Sequence, residues 1–449
     1  MKIRKIKWKN HFVLGNLELD LTNSTTGEDF DNIIFAGENG TGKTSILETI
    51  STFLNLGTFE HFEYIEFSVD NQIFTAIHAT DGTTYKNFFD IKDSSGAVRT
   101  IRSDRNNSPE LLESDTKDLR HYGCVFSKAR ADYKTQPITT TTTKQLDIEK
   151  YDLDQQDDFT SLKQLLVDIK NQDESDYMKL NETLGANPKS VPEFYPTSKT
   201  FRFKNAFDNF FGRIKYEGVV DSLDEKQLLF NKNGKTITID NLSTGEKQIV
   251  FRGIYLLKNS KKLDGATIMI DEPELSMHPK WQKKILKYFK DLFTESSIQK
   301  TQLFIATHSE HVLSDALSDK TKNLVIVLTE TEGVISAKKI DAPSVLPSIT
   351  NAETNYLAFD IISNDYHIEL YGWLQNKESK NTVKSCDDFI KNNSSYNSTT
   401  HRKASSFGTT TYETLSTYIR NAIDHPDPSR TFTEDQLRIS TELLIKLCR

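Results

Sequence analysis

Gly37-Glu-Asn39-Gly40-Thr-Gly42-Lys43-Thr44 follows directly on the apolar run Asn32-Ile-Ile-Phe-Ala36 and directly precedes Ser45-Ile-Leu-Glu-Thr-Ile-Ser-Thr-Phe-Leu54. The order reads as a buried strand, a glycine-rich turn and a helix. Gly37, Gly40 and Gly42 allow successive backbone N–H groups to point inward around a phosphate, and the positive end of the following helix favours the same anion. Lys43 is spaced to reach the outer phosphates, and the Thr44 hydroxyl to hold Mg²⁺. Asn39 and Ser45 complete the candidate loop.

Working outward, the segment before the loop alternates charge with Ile3, Ile6, Trp8, Leu17 and Leu19, which predicts two strands joined near Asn10-His11-Phe12. After the loop helix, alternating runs at 61–69, 72–79 and 84–92 are separated by Asp70-Asn71 and Asp81-Gly82, the turn residues of an antiparallel sheet. Residues 93–120 read as polar loop, and Tyr122–Phe126 as a short strand. The threonine-rich run 138–143 favours extended structure. Helices are expected from Asp157 to about Leu184 and from Thr200 to Phe211, the second with a phenylalanine face suited to core packing. A hairpin follows around Asn233-Gly234.

Next, Leu242-Ser243-Thr-Gly245-Glu246 opens a helix through Leu257, Ala266–Ile270 is a buried strand ending in Asp271-Glu272-Pro273, and Pro279 starts a helix to about Phe293. Gln302–Ala306 is another buried strand, ending in Thr307-His308, and Leu324–Leu328 with Val334–Lys338 forms a hairpin. Beyond Asp341–Pro347 the pattern is helical, near 352–376, 383–392, 412–424 and 434–447, with a polar segment at 393–411. Two domains are therefore expected, 1–343 with an insertion and helical lobe at about 93–225, and an α-helical 344–449.

Asp271, at a strand end, is suited to bind Mg²⁺ through water opposite Thr44. Glu272 can polarise an attacking water, and His308 can hold that water or donate to a phosphate. A net charge of −8 argues against a coat of phosphate-binding residues. Lys86, Arg99, Arg102 and Arg105 could line a local groove, although a solvated face is the commoner role. Cys124, Cys386 and Cys448 have neither metal spacing nor an even count. With no long apolar run and no apolar leader region after the basic N-terminus, a cytoplasmic protein without membrane contact is expected.

Gly37–Thr44, Leu242–Glu246, Ile268-Met-Ile-Asp-Glu-Pro-Glu274 and Thr307-His308 resemble, in order, the Walker A, signature, Walker B and switch-histidine motifs of ABC-type ATPase heads. The resemblance covers roughly residues 1–340 and is strongest to the RecF, SMC and overcoming-lysogenization-defect-like branch. It implies an α/β head with a mixed sheet, an antiparallel β subdomain and a helical lobe, and ATP with Mg²⁺ as ligands. It implies Glu272 and His308 as catalytic groups. Ser243, Gly245 and Glu246 would close over the nucleotide of a second copy, in a homodimer or higher homo-oligomer. A Q-loop glutamine is expected at Gln136, with Gln145 as competitor. The long insertion lacks coiled-coil heptads, and no Toprim-like acidic set follows His308.

Asn355–Phe359 and Tyr366–Gly372 resemble the tails of ATPase subunits in Septu-type bacterial anti-phage systems. That likeness implies a separately encoded effector nuclease, of HNH type, under the control of the ATPase. Arg420 and His425 resemble the R-x4-H pair of HEPN ribonucleases, the basis of an alternative in which the chain itself cuts RNA. Capping, or a bridge to Asp424, explains the same residues structurally. A RecF-like DNA-binding ATPase is a third expectation.

Overall fold

The computed structural model describes residues 1–79, 88–102, 119–128, 151–153, 159–222, 225–257, 265–295, 297–341 and 344–449. The candidate glutamines Gln136 and Gln145, and Lys86 and Arg105 of the basic set, lie outside them. The chain divides into two compact units, Met1–Ala337 and Lys338–Arg449.

A seven-stranded sheet organises the first unit, in the order Val334–Lys339, Asn323–Thr331, Asn32–Ala36, Gln302–Thr307, Thr267–Asp271, Cys124–Ser127 and Tyr151–Leu153. From Asn323–Thr331 to Tyr151–Leu153 every pairing is parallel. Parallel strands are covered on both faces, so their sequences read as continuous rather than alternating apolar runs. All five residues of Asn32–Ala36 are accordingly buried. Register then decides the site: Thr307 lies opposite Ala36, and Ala306 opposite Asp271. Three strands therefore end side by side, at the edge where parallel sheets bind ligands.

A six-stranded antiparallel sheet, Glu18–Asp20, Lys2–Trp8, Phe62–Val69, Gln72–His78, Phe88–Asp93 and Val98–Arg102, accompanies the loop helix Lys43–Leu54. Phe53, Phe59, Phe62 and Phe89 form an aromatic cluster, with Phe59 and Phe89 stacked at 5.2 Å. Trp8 Nε1 donates to Thr49 Oγ1 at 3.0 Å, giving the buried indole its polar partner. Val98–Arg102 is a strand where loop was expected. Asp93 accepts the N–H groups of Ser95 and Ala97, and the resulting turn folds the polar stretch back onto the sheet.

The helical lobe contains Phe159–Leu184, Val191–Phe194 and Lys199–Phe210, beside the three-stranded sheet Ile214–Asp221, Lys226–Lys232 and Lys235–Thr238. Ile214–Asp221 is a strand that its sequence does not announce, because a bulge between Tyr216 and Gly218 interrupts its alternation.

In the second unit the expected helix at 352–376 is two helices, Asn351–Phe359 and Asn364–Lys377. Asp360 ends the first in the left-handed region at φ 52°, and Ser363 caps the second. The polar segment holds a hairpin, Arg402–Phe407 with Thr410–Thr414. Buried Asp387 pins it by accepting the Glu413 and Thr414 N–H groups and the Thr414 hydroxyl. Among the described residues no helix is long and apolar enough to cross a membrane.

Candidate functional site

The glycine loop leaves the buried strand at Gly37, with φ 150°; a Cβ there would stand 2.3 Å from the Leu328 carbonyl oxygen. Gly42, at φ 84°, is the N-cap of the loop helix and supplies no side-chain cap. First-turn N–H groups without such a cap suit an anion. Lys43 folds back over the loop, its ammonium donating to the carbonyls of Gly37 at 2.9 Å and Glu38 at 2.7 Å. Burial lowers its pKa to about 8, against the opposing pull of Asp271, Glu272, Glu274 and Glu38. Asn39 is exposed at the loop tip, as is Gly40, and Ser45 is half-buried in the first helical turn.

Thr44 Oγ1 donates to Asp271 Oδ2 at 3.0 Å. Asp271 Oδ1 is buried with no hydrogen-bond partner. Burial, more than any neighbour, raises the pKa of this carboxyl; Glu272 adds to the effect, while Thr44, Arg252 and Lys43 oppose it. A hydroxyl and an unpaired carboxylate oxygen at a phosphate loop form a hard oxygen set that fits Mg²⁺.

Glu272 has a left-handed backbone, φ 44°, held by its N–H donating to the Ala306 carbonyl at 2.9 Å. Such a conformation in a non-glycine residue stores strain and re-aims the side chain. Its Oε1 lies 3.4 Å from His308 Nε2. Burial lowers the His308 pKa, as does Lys43, while Glu272 and a hydrogen bond with the Gly37 backbone raise it. The net lowering keeps the imidazole neutral near pH 7.

Two further residues shape the site. Buried Glu274 accepts the Thr307 hydroxyl at 2.8 Å and the His308 N–H at 2.7 Å, so it sets the end of the histidine strand. Burial raises its pKa, and its Oε2 has no hydrogen-bond partner. Buried Arg252 spans from the Asp271 carbonyl, at 2.8 Å, to the Lys128 carbonyl, at 3.2 Å. An arginine inside the apolar run Ile249-Val-Phe-Arg252 was its available signal, since an arginine is rarely buried without a partner.

The helix Thr244–Leu257 begins after Ser243, whose N–H donates to Glu246 Oε2 at 2.8 Å. Glu246 also binds Lys232 at 2.8 Å, so its carboxylate serves its own chain's turn. Gly245 packs against Glu274–His278: a Cβ would stand 2.9 Å from the Ser276 carbonyl oxygen. Among the described residues, Ser243 hydrogen-bonds only within its own turn. In the second unit, Arg420 is engaged by Asp424 at 2.7 Å and by Asn421 at 3.0 Å, and His425 is the exposed C-cap of that helix.

A family model described as "AAA domain, putative AbiEii toxin, Type IV TA system" matches residues 33–314. "Retron Vc95 probable ATPase" of Vibrio cholerae serotype O1 biovar El Tor is 35% identical over 100 residues, covering 20% of this chain and 18% of that protein. Among solved structures, an SMC head bound to the C-winged helix domain of ScpA aligns with TM-score 0.40 and 11% identity over 76% of this chain and 98% of that one. The SMC head domain from Thermotoga maritima aligns with TM-score 0.36 and 14% identity over 76% and 99%.

Proposed function

The chain belongs to the AAA-domain family whose description names an AbiEii toxin of a type IV toxin–antitoxin system, and on that premise we propose that it binds and hydrolyses ATP to control a defence effector. The observation carrying this reading is the convergence of Lys43, Thr44, Asp271, Glu272 and His308 at adjacent strand ends. ATP draws Lys43 off the Gly37 and Glu38 carbonyls and onto its phosphates. Thr44 and Asp271 would hold Mg²⁺, which would supply positive charge against the phosphates. Glu272 polarises the attacking water, and neutral His308 orients it.

Ser243 and Gly245 serve the nucleotide of a second copy, so ATP joins two chains head to tail. Glu246 holds that turn rather than touching the nucleotide, because both its oxygens are already engaged. Pairing controls a separately encoded effector nuclease in bacterial anti-phage defence, in the cytoplasm. Its support is the retron ATPase relative together with the family's toxin–antitoxin description.

The test is a mixing experiment. Lys43→Ala and Ser243→Arg chains are each inactive alone. An equimolar mixture recovers about a quarter of wild-type turnover, since half the pairs are mixed and each of those has one intact site. No recovery would overturn the shared site.

A further inference from the structure

The helix Pro279–Leu292 divides its surface sharply. Ile285, Leu286, Tyr288, Phe289 and Leu292 are buried on one side. Beyond Pro279 its exposed residues are Lys280, Lys283, Lys284 and Lys287, with no other residue type among them. Spacings of three and four residues put all four on one face. Acids outnumber bases in the whole chain, 64 to 56, so the overall charge balance does not account for a face of lysines.

The lysines are not equivalent. Lys287 is held by Asp291 at 2.8 Å, and Lys290, on the flank, reaches Asp319 at 4.0 Å. Among the described residues the ammonium groups of Lys280, Lys283 and Lys284 make no ion pair or hydrogen bond. The first turn of the helix holds no acidic residue. Like charges four residues apart repel, as Lys280 and Lys284 do, and cations near a helix start oppose its dipole. The arrangement costs the fold stability, and a bound polyanion offsets that cost.

Two features select the anion. Every exposed cation here is a lysine, whose ammonium is a point charge suited to phosphate, whereas bidentate capture of carboxylates is arginine chemistry. The face also offers no ring for base stacking. Tyr288 and Phe289 are buried, and Trp281 packs edge-on to Phe211 at 5.0 Å and against Gly245. Single strands are gripped by stacking as well as charge, duplexes through their backbone. From Lys280 to Lys287 the helix advances about 10 Å, a length over which one strand of a duplex presents about three phosphates. We propose that this lysine face binds the phosphate backbone of a double-stranded nucleic acid, without regard to sequence.

The proposal goes beyond the ATPase reading and does not need it, since binding is measured without ATP. Fluorescence anisotropy on the full chain uses a labelled DNA duplex of about 20 base pairs, and its RNA counterpart, between about 50 and 200 mM salt. Binding weakens as salt rises and is indifferent to base sequence, and the tighter of the two duplexes identifies the source. Lys280→Glu/Lys283→Glu/Lys284→Glu, whose acids suit the start of a helix, lowers affinity about tenfold or more and reduces the salt slope by about three. Lys179→Glu/Lys189→Glu/Lys235→Glu makes the same change of charge at exposed positions elsewhere and keeps most of the binding. No duplex binding, or an equal loss in the two variants, overturns the site. Tighter binding of an oligothymidylate strand overturns the choice of a duplex. Polyglutamate bound as tightly as the duplex, and lost in the first variant, overturns the nucleic acid in favour of an acidic protein.

Discussion

The Thr44 hydroxyl meets the Asp271 carboxylate at 3.0 Å across a sequence separation of 227 residues. Asp271 turns its other oxygen to a buried position with no hydrogen-bond partner, which leaves the pair ready for a hard cation. Thr44→Ala or Asp271→Asn will therefore reduce the gain in ATP affinity that Mg²⁺ brings, by roughly tenfold or more. Titration of a fluorescent ATP analogue with and without Mg²⁺ measures this. An unchanged Mg²⁺ effect in both variants would move the cation elsewhere.

Glu272→Gln keeps the shape of the side chain and removes its basicity. The variant will bind ATP and pair, with turnover lowered by about 10² or more. Light scattering reads the pair and phosphate release reads the rate. Retained turnover would take Glu272 out of the water-polarising role.

Glu274 acts through the strand end it holds. Glu274→Ala leaves the Thr307 hydroxyl and the His308 N–H without their acceptor, and will lower kcat about tenfold with little change in KM. Glu274→Gln retains an acceptor oxygen and will recover most of the rate. If Ala and Gln behave alike, the carboxylate charge matters rather than its hydrogen bonds.

Lys43, lowered to about 8 by burial, is partly neutral above that pH. Phosphate oxygens favour its protonated form, so ATP binding raises the pKa and takes up a proton between pH 8 and the ordinary lysine range. At pH 8.5 uptake will approach roughly three quarters of a proton, against little at pH 7. Calorimetry in two buffers of different ionisation enthalpy gives the number, and Lys43→Met should abolish it.

His367, fully buried in the second unit with Nε2 2.8 Å from Ser440 Oγ, is pushed down to about 3 by desolvation. The unfolded chain then binds the extra proton, so stability falls as pH drops from the ordinary histidine value toward 3. By pH 5 the loss amounts to about 2 kcal/mol. His367→Gln should lose less stability than wild type between pH 7 and pH 5 in urea unfolding. An equal loss would assign the acid sensitivity to other groups.

Much of the first unit was legible because its signals are local. Continuous apolar runs mark strands covered on both faces, and the buried Asn32–Ala36 behaves as that rule requires. Elements depart from the local pattern where tertiary contacts override it. Val98–Arg102 is a strand because the turn at Asp93 returns it to a partner. The serine- and threonine-rich hairpin at 402–414 exists because Asp387, on another element, satisfies its backbone. Asp360 breaks a helical stretch whose residues carry no proline.

By itself, the sequence determined the turn and the residue types: glycines where φ is positive or a neighbouring backbone leaves no room for a Cβ, a lysine and threonine opening a helix, acids and a histidine closing strands. Dihedral preference and side-chain period act over a few residues, and a chain carries them wherever it goes. Only the tertiary structure decided that Thr44 meets Asp271, that Glu272 faces His308, and that Glu274 anchors the histidine strand. Those relations depend on which strands lie side by side and in what register. That choice is made by burying the whole sheet at once, at a closure cost that no local pattern encodes.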